Sequence, residues 1–190
     1  MKLCGFTGLL NDARGQFHGN WAESHYHTRI PSRVIARFRG PADISRRMLE
    51  LYAGIFESLE EELRQANFRG PIGIDAFVYR DATGAIRLKP IVEINPRYTM
   101  GRVTVELMKH TCPGSCGLFR IVNRAAIRAE GFEDFATYGR TLGERLPLRL
   151  QGGPVPKILE GALCLNDPAF AQVCLATFEA GRSLAALLKV

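Results

Sequence analysis

The strongest hydrophobic pattern in the chain lies between Gly70 and Arg97, where two apolar runs, Ile72–Tyr79 and Ile86–Ile94, flank the turn former Asp81-Ala82-Thr83-Gly84. Apolar runs of this length around a glycine-bearing turn predict an antiparallel hairpin. Side chains alternate across a strand, so Ile72, Ile74, Ala76 and Val78 share one face, and Asp75, Phe77 and Tyr79 share the other. On the second strand Val92 and Ile94 fall on the apolar face, whereas Lys89, Glu93, Asn95 and Arg97 fall on the opposite one. Upstream, Ile44, Met48, Leu51, Tyr52, Ile55, Leu59 and Leu63 recur at spacings of three and four behind Asp43, which stands where an N-cap would. This is the best helix signal in the chain. Its polar side carries Glu57, Glu60, Glu61 and Glu62, and its apolar stripe is expected to cover the Ile/Val face of the hairpin.

The flanking segments are less regular. Leu3–Leu10 and Gln16–Trp21 around the polar Asn11–Gly15 predict an opening hairpin, and the Arg-rich Pro31–Gly40 reads as a basic connector. Val103–His110 predicts a short helix ended by Cys112–Gly117. Leu118–Ile127 suits a strand or a helix, and Phe132–Arg149 has no clean period. Gln151–Pro156 is the clearest linker signal. Ile158–Leu165 then predicts a last strand, and Asn166-Asp167-Pro168 a cap and first-turn proline opening a helix through about Leu188. The expected organisation is one domain over residues 1–110 and a helical or mixed extension over 111–190 packed on it. The expected fold class is α+β, an antiparallel sheet covered on one face by helices.

Composition narrows the function classes. Hydrophobic residues make up 46% and charged residues 23% of the 190, which is ordinary for a soluble globular protein. No run of about 18 apolar residues and no charged-then-apolar leader occurs, so a cytoplasmic setting without membrane contact is expected. The net charge of +6 invites a nucleic-acid reading, but the arginines are scattered among Glu-rich segments rather than massed with aromatics, so nucleic acid is not the expected partner. A site for a polyanionic nucleotide accounts for the same excess. Five irregularly spaced cysteines argue against a disulfide framework. His110, Cys112 and Cys116 resemble half of a zinc site, but Cys4, Cys164 and Cys174 supply no second half, so reduced thiols are expected. His18, Asn20, His25 and His27 crowd one stretch that could line a substrate cleft, with surface or loop histidines as the default reading.

The candidate chemistry sits on the polar face of the central hairpin. A turn centred on Gly84 sets Asp75, nine residues before it, across from Glu93, nine after it. Like charges facing each other on neighbouring strands repel, and a structural sheet has little reason to pair them unless a cation lies between. Oxygen donors from Asp75, Glu93 and the Asn95 amide suit Mg²⁺, which takes few protein ligands and completes its shell with water and phosphate. Lys89 and the planar fork of Arg97 are the matching candidates for phosphate. The bland reading is a solvated polar face carrying an Arg–Glu pair.

The run GIDAFVY, a short hairpin and then PIVEINPRYTMG resembles the C-terminal lobe of the ATP-grasp superfamily, which includes biotin carboxylase and D-alanine–D-alanine ligase. The match is specific over Asp75–Gly101. The resemblance implies an ATP-grasp C-terminal-lobe-like fold in which Asp75, Glu93 and Asn95 are the Mg²⁺ ligands, with Arg97 in a catalytic, phosphate-binding role. It also implies ATP as cofactor, a small carboxylate substrate activated as an acyl phosphate, and transfer to an amine or similar nucleophile. Members of the family close a second lobe, with lysines and a glycine-rich loop, over the phosphates. No G-x-x-x-x-G-K-[ST] or other glycine-rich phosphate loop precedes the site here, so the resemblance covers the metal-binding lobe alone. The expectation is therefore a C-terminal lobe completed by a missing N-terminal lobe or a partner chain. The alternative is a non-catalytic binding or interaction domain that keeps the fold.

Overall fold

The computed structural model describes residues 1–12, 14–23 and 41–188, so the expectations for His25, His27 and the basic connector lie outside the described residues. Among those residues the fold is mixed α+β with antiparallel strands, and no helix is long and apolar enough to cross a membrane. The chain divides into two compact units, Met1–Cys4 with His25–Arg102, and Gly5–Ser24 with Val103–Val190. The opening hairpin is therefore grouped with the C-terminal part of the chain rather than with the central hairpin.

In the first unit, helix α1 (Pro41–Gln65) begins two residues ahead of the expected cap. Asp43 lies in its first turn, where it pairs with Arg46 at 2.7 Å and Arg47 at 3.1 Å, a favourable place for a carboxylate. Ile44 and Tyr52 of the predicted stripe are buried, whereas Leu51 lies on the exposed side. The Tyr52 hydroxyl donates to the Pro90 carbonyl at 3.0 Å, tying the helix to the hairpin. The predicted cover is incomplete, because Val78, Leu88, Val92 and Ile94 of the apolar face remain exposed.

Strands β3 (Gly73–Arg80) and β4 (Ile86–Asn95) form a separate two-stranded antiparallel sheet. Asp81 organises its turn: Oδ1 accepts from the Thr83 and Ala85 amides and the Thr83 hydroxyl, and Oδ2 accepts from Arg87 Nε at 2.8 Å. The Thr83 hydrogen bond, with that of Arg87, holds the Asp81 carboxyl well below the usual carboxylate range. Gly84 closes the turn at φ +78°, a conformation that glycine adopts without steric cost. The register is not uniform. Near the turn Phe77 faces Lys89, whereas further along Asp75 faces Glu93. Pro90, Ile91 and Val92 therefore lie opposite Ala76 alone. A bulge is where a proline, lacking an amide hydrogen, is tolerated in a strand.

The second unit is built on a six-stranded antiparallel sheet in the order β1-β2-β5-β8-β7-β6, from β1 (Gly8–Asn11), β2 (Phe17–Glu23), β5 (Cys116–Asn123), β6 (Arg149–Gln151), β7 (Lys157–Cys164) and β8 (Cys174–Gly181). Helix α2 (Met100–Met108) crosses from the first unit into the second, followed by α3 (Arg124–Ala129), α4 (Phe135–Arg145) and α5 (Leu184–Leu187). Leu118–Ile127 thus supplies both of its readings in succession, a strand and then a helix capped by Asn123. Phe135, Tyr138 and Leu142 of α4 pack with Val122, Ile127, Ala162 and Leu175 on one face of the sheet, and Cys116, Leu118 and Leu187 form a second cluster. The opposite face is buried in part. Phe119, Phe178 and Ala180 lie on it, and Gly117 has no room for a Cβ because Met108 Sδ would stand 2.4 Å from it. Helices α3, α4 and α5 thus pack on one face, and on the opposite face Ile121 stays exposed.

The C-terminal expectation is overturned. No helix starts at Pro168; strand β8 occupies most of the expected helical span, and only the short α5 (Leu184–Leu187) forms at its end. Asn166 accepts from the Ala176 amide at 2.8 Å and donates to the Cys174 carbonyl at 3.1 Å, while Asp167 accepts from the Ala169 amide, closing a turn that leads into β8. Short Asx side chains serve turns and helix caps with the same chemistry, and here the strand that follows is central in the sheet. The predicted linker Gln151–Pro156 likewise connects β6 to β7 within one antiparallel pair.

Candidate functional site

The polar face of the β3–β4 hairpin brings the predicted residues together, because directly paired residues of an antiparallel ladder share a face. Asp75 and Glu93 are ladder partners, and Gly73 faces Asn95. Asn95 Nδ2 donates to Asp75 Oδ2 at 3.3 Å, and Arg97 Nη2 donates to Asn95 Oδ1 at 3.2 Å. The Arg97 amide also donates to the Asn95 carbonyl at 2.8 Å, turning the chain out of the strand. Asn95 is only 8% exposed, whereas Asp75, Glu93 and Arg97 are open to solvent. A buried amide that bonds a carboxylate on one side and a guanidinium on the other holds both in place.

Lys89 sits across from Phe77, beyond the Pro90 bulge, and is exposed. The bulge decides this placement. In the register of the turn, Asp75 would face Ile91, and the extra residues of β4 bring Glu93 opposite it instead. Pro90, the signal for this irregularity, stood in the sequence inside an otherwise continuous strand pattern. After Arg97, Thr99 Oγ1 accepts from the Arg102 amide at 3.2 Å and caps the start of α2. Thr104, in the same helix, is fully buried in the second unit.

Among the described residues no group of three or more His, Cys, Asp or Glu side chains is placed to hold a metal. The hairpin set has two carboxylates and one amide, a hard-oxygen donor set that fits Mg²⁺ when water and phosphate complete the shell. It does not fit a structural zinc, which needs a closed shell of four nitrogen or sulfur ligands. The Cys112 thiol lies 2.9 Å from Gln151 Oε1, and all five cysteines are thiols. His18 is exposed, and Asn20 is buried with its amide donating to the Gly8 carbonyl at 3.5 Å.

A second polar cluster, which sequence reasoning missed, lies inside the second unit. Arg120 of β5 and Glu179 of β8 form an ion pair at 3.4 Å, and Glu130, Tyr138 and Arg145 line the same small cavity. Burial pushes the Glu179 carboxyl up despite the Arg120 charge, and burial pushes Tyr138 up to about 12. The cavity measures about 10 Å³, room for a single water. Two arginines face two glutamates there. Its size leaves no room for a ligand, and the Arg120–Glu179 pair is its buried part. No protein-family model, no curated protein and no solved structure matches the chain.

Proposed function

We propose that the β3–β4 hairpin is the metal-binding part of a Mg-ATP site of the ATP-grasp type, serving a carboxylate–amine ligase that activates a small carboxylate as an acyl phosphate. The observation that carries the reading is the pairing of Asp75 with Glu93 on adjacent strands, with Asn95 bonded to Asp75 and Arg97 bonded to Asn95. Cross-strand carboxylates repel, and a divalent cation is the simplest group that turns this arrangement into a stabilising one. Asp75, Glu93 and Asn95 Oδ1 would hold the ion. Bound there with nucleotide, magnesium would supply charge neutralisation at the phosphates. Arg97 holds its guanidinium beside the amide oxygen and gives a phosphate a planar pair of donors. Lys89, on the far side of the bulge, extends the positive charge toward the same face. The phosphate-covering half of the site is assigned to polypeptide outside these residues, in cis or in trans.

The second reading, a non-catalytic interaction domain of the same ancestry, is favoured by the exposed Phe77, Val78, Tyr79, Leu88, Val92 and Ile94 on the same hairpin. Calorimetric titration with Mg-ATP and with ATP in EDTA separates the two. The ligase-lobe reading expects weak binding that requires magnesium, weakens about tenfold or more in Glu93→Gln and Arg97→Ala, and is unchanged in Arg124→Ala. Glu93 is exposed, so its loss leaves the melting temperature in place. Binding indifferent to magnesium and to Glu93→Gln would sink the reading. Tight oligonucleotide binding with a steep salt slope, unaffected by Arg97→Ala, would return the basic charge to a nucleic-acid role.

A further inference from the structure

A surface cavity of about 390 Å³ in the second unit lies between the α3–α4 region and the loop joining β7 to β8. Its lining includes the buried Ile127 and Phe135 and the half-buried Ala136, Pro168 and Ala171. Phe170, on the rim of this partly apolar hollow, is 82% exposed, and Val173 of the same loop 78%, the two most exposed large apolar side chains among the described residues. Single exposed apolar residues are ordinary, but two large ones on the loop that borders such a hollow are not.

The loop that presents them is held firmly. Asn166 bonds the backbone of Cys174 and Ala176, Asp167 bonds the Ala169 amide, and Arg124 Nε donates to the Gln172 carbonyl at 2.7 Å. A knob fixed in this way loses little freedom on docking. The charge around the hollow is mixed, with Arg124 on its border and Glu133 and Asp134 at the start of α4. One surface thus carries a knob and a hollow, and a cation and carboxylates.

We propose that this surface is a two-fold interface with a second copy of the chain, in which Phe170 of each copy enters the hollow of the other and Arg124 of each meets Glu133 of the other. An isologous contact requires one patch to hold both halves of every complementary pair, and this patch does. The inference rests on the second unit alone and does not depend on the metal-site reading.

Sedimentation velocity over a concentration series, at low and high salt, tests it. The wild-type chain is expected to form dimers, with dissociation strengthened by salt. Phe170→Ser should weaken dimerisation at least about tenfold with an unchanged melting temperature, since so exposed a side chain contributes little to folding. Arg124→Glu and Glu133→Arg should each weaken it, and the double variant should recover much of the loss, the signature of a pair that meets across the axis. A wild-type chain that stays monomeric up to roughly 1 mM overturns the proposal. So does a dimer indifferent to Phe170→Ser, or a double charge swap no better than its single variants.

Discussion

A carboxylate buried as deeply as Glu179, at 2% exposure, loses more from desolvation than Arg120 at 3.4 Å returns to its ionised form. Its folded-state pKa lies above the unfolded one, so it favours the fold at acid pH and that contribution is lost as pH rises from the ordinary carboxylate range through the raised value. Asp134 works in the opposite sense: the Thr137 hydrogen bonds lower its pKa, and its contribution is lost as pH falls. Comparison with Glu179→Gln isolates the first effect, because glutamine matches the protonated acid in shape. The variant should melt close to wild type near pH 4 and above it at pH 7, the gap widening with pH. A gap of the reverse sign at pH 7 would mean that the Arg120 attraction outweighs burial. Asn95 is the other residue whose environment changes its reading. On a solvated strand its truncation would leave the fold untouched, but a buried amide with two side-chain partners should cost roughly 1–2 kcal/mol when removed. For this reason Glu93→Gln is the cleaner probe of the proposed metal site.

Hairpin β3–β4 depends on its turn, because a two-stranded ribbon has few other means of fixing its register. Gly84 sits at φ +78°, and alanine there should destabilise the hairpin by about 1 kcal/mol. The check is the thermal midpoint of Gly84→Ala by circular dichroism; an unchanged or higher midpoint would show that the Asp81 network alone sets the turn. The same hairpin shows what local pattern conveys and what it omits. Alternation from Ile72 to Arg97 gave the strands, the polar face and the Asp75–Glu93 pairing. It did not give the Pro90 bulge that makes this pairing compatible with a turn whose own register points to Ile91. At the other end of the chain, Asn166-Asp167-Pro168 and an Ala-rich tail read as a helix start, and a strand formed instead. Strand β8 is buried on both faces, with Leu175, Thr177 and Glu179 on one and Phe178 and Ala180 on the other. A strand so placed loses the apolar–polar alternation that marks an edge or half-buried strand, and short apolar runs are ambiguous by period alone.

At the scale of the whole molecule most of the buried apolar residues lie in the second unit, where the Phe178 side chain is fully buried between neighbouring strands and Met108 approaches the same face beside Gly117. Phe178→Ala should cost about 3–5 kcal/mol, because the close-packed sheet cannot collapse into the space that the ring leaves. Urea unfolding followed by Trp21 fluorescence reports on this unit, since Trp21 belongs to its second apolar cluster. A loss below about 1 kcal/mol would mean that the core repacks freely. The opening hairpin joins this sheet through β2 and β5, Asn20 facing Phe119 and Glu23 facing Cys116, a pairing between segments nearly a hundred residues apart.

What the sequence determined by itself was local: the two hairpins, the long amphipathic helix, the side on which Asp75, Glu93, Asn95 and Arg97 lie, and the absence of a disulfide framework. Each follows from periodicity or turn chemistry within a few tens of residues, where the physics is that of neighbouring side chains. Tertiary structure decided the rest. Strand order, the burial of both faces of β8, the strand in place of a C-terminal helix and the Arg120–Glu179 pair all depend on pairings across long stretches of chain. Those pairings are chosen by total burial and hydrogen bonding, and no local pattern records them.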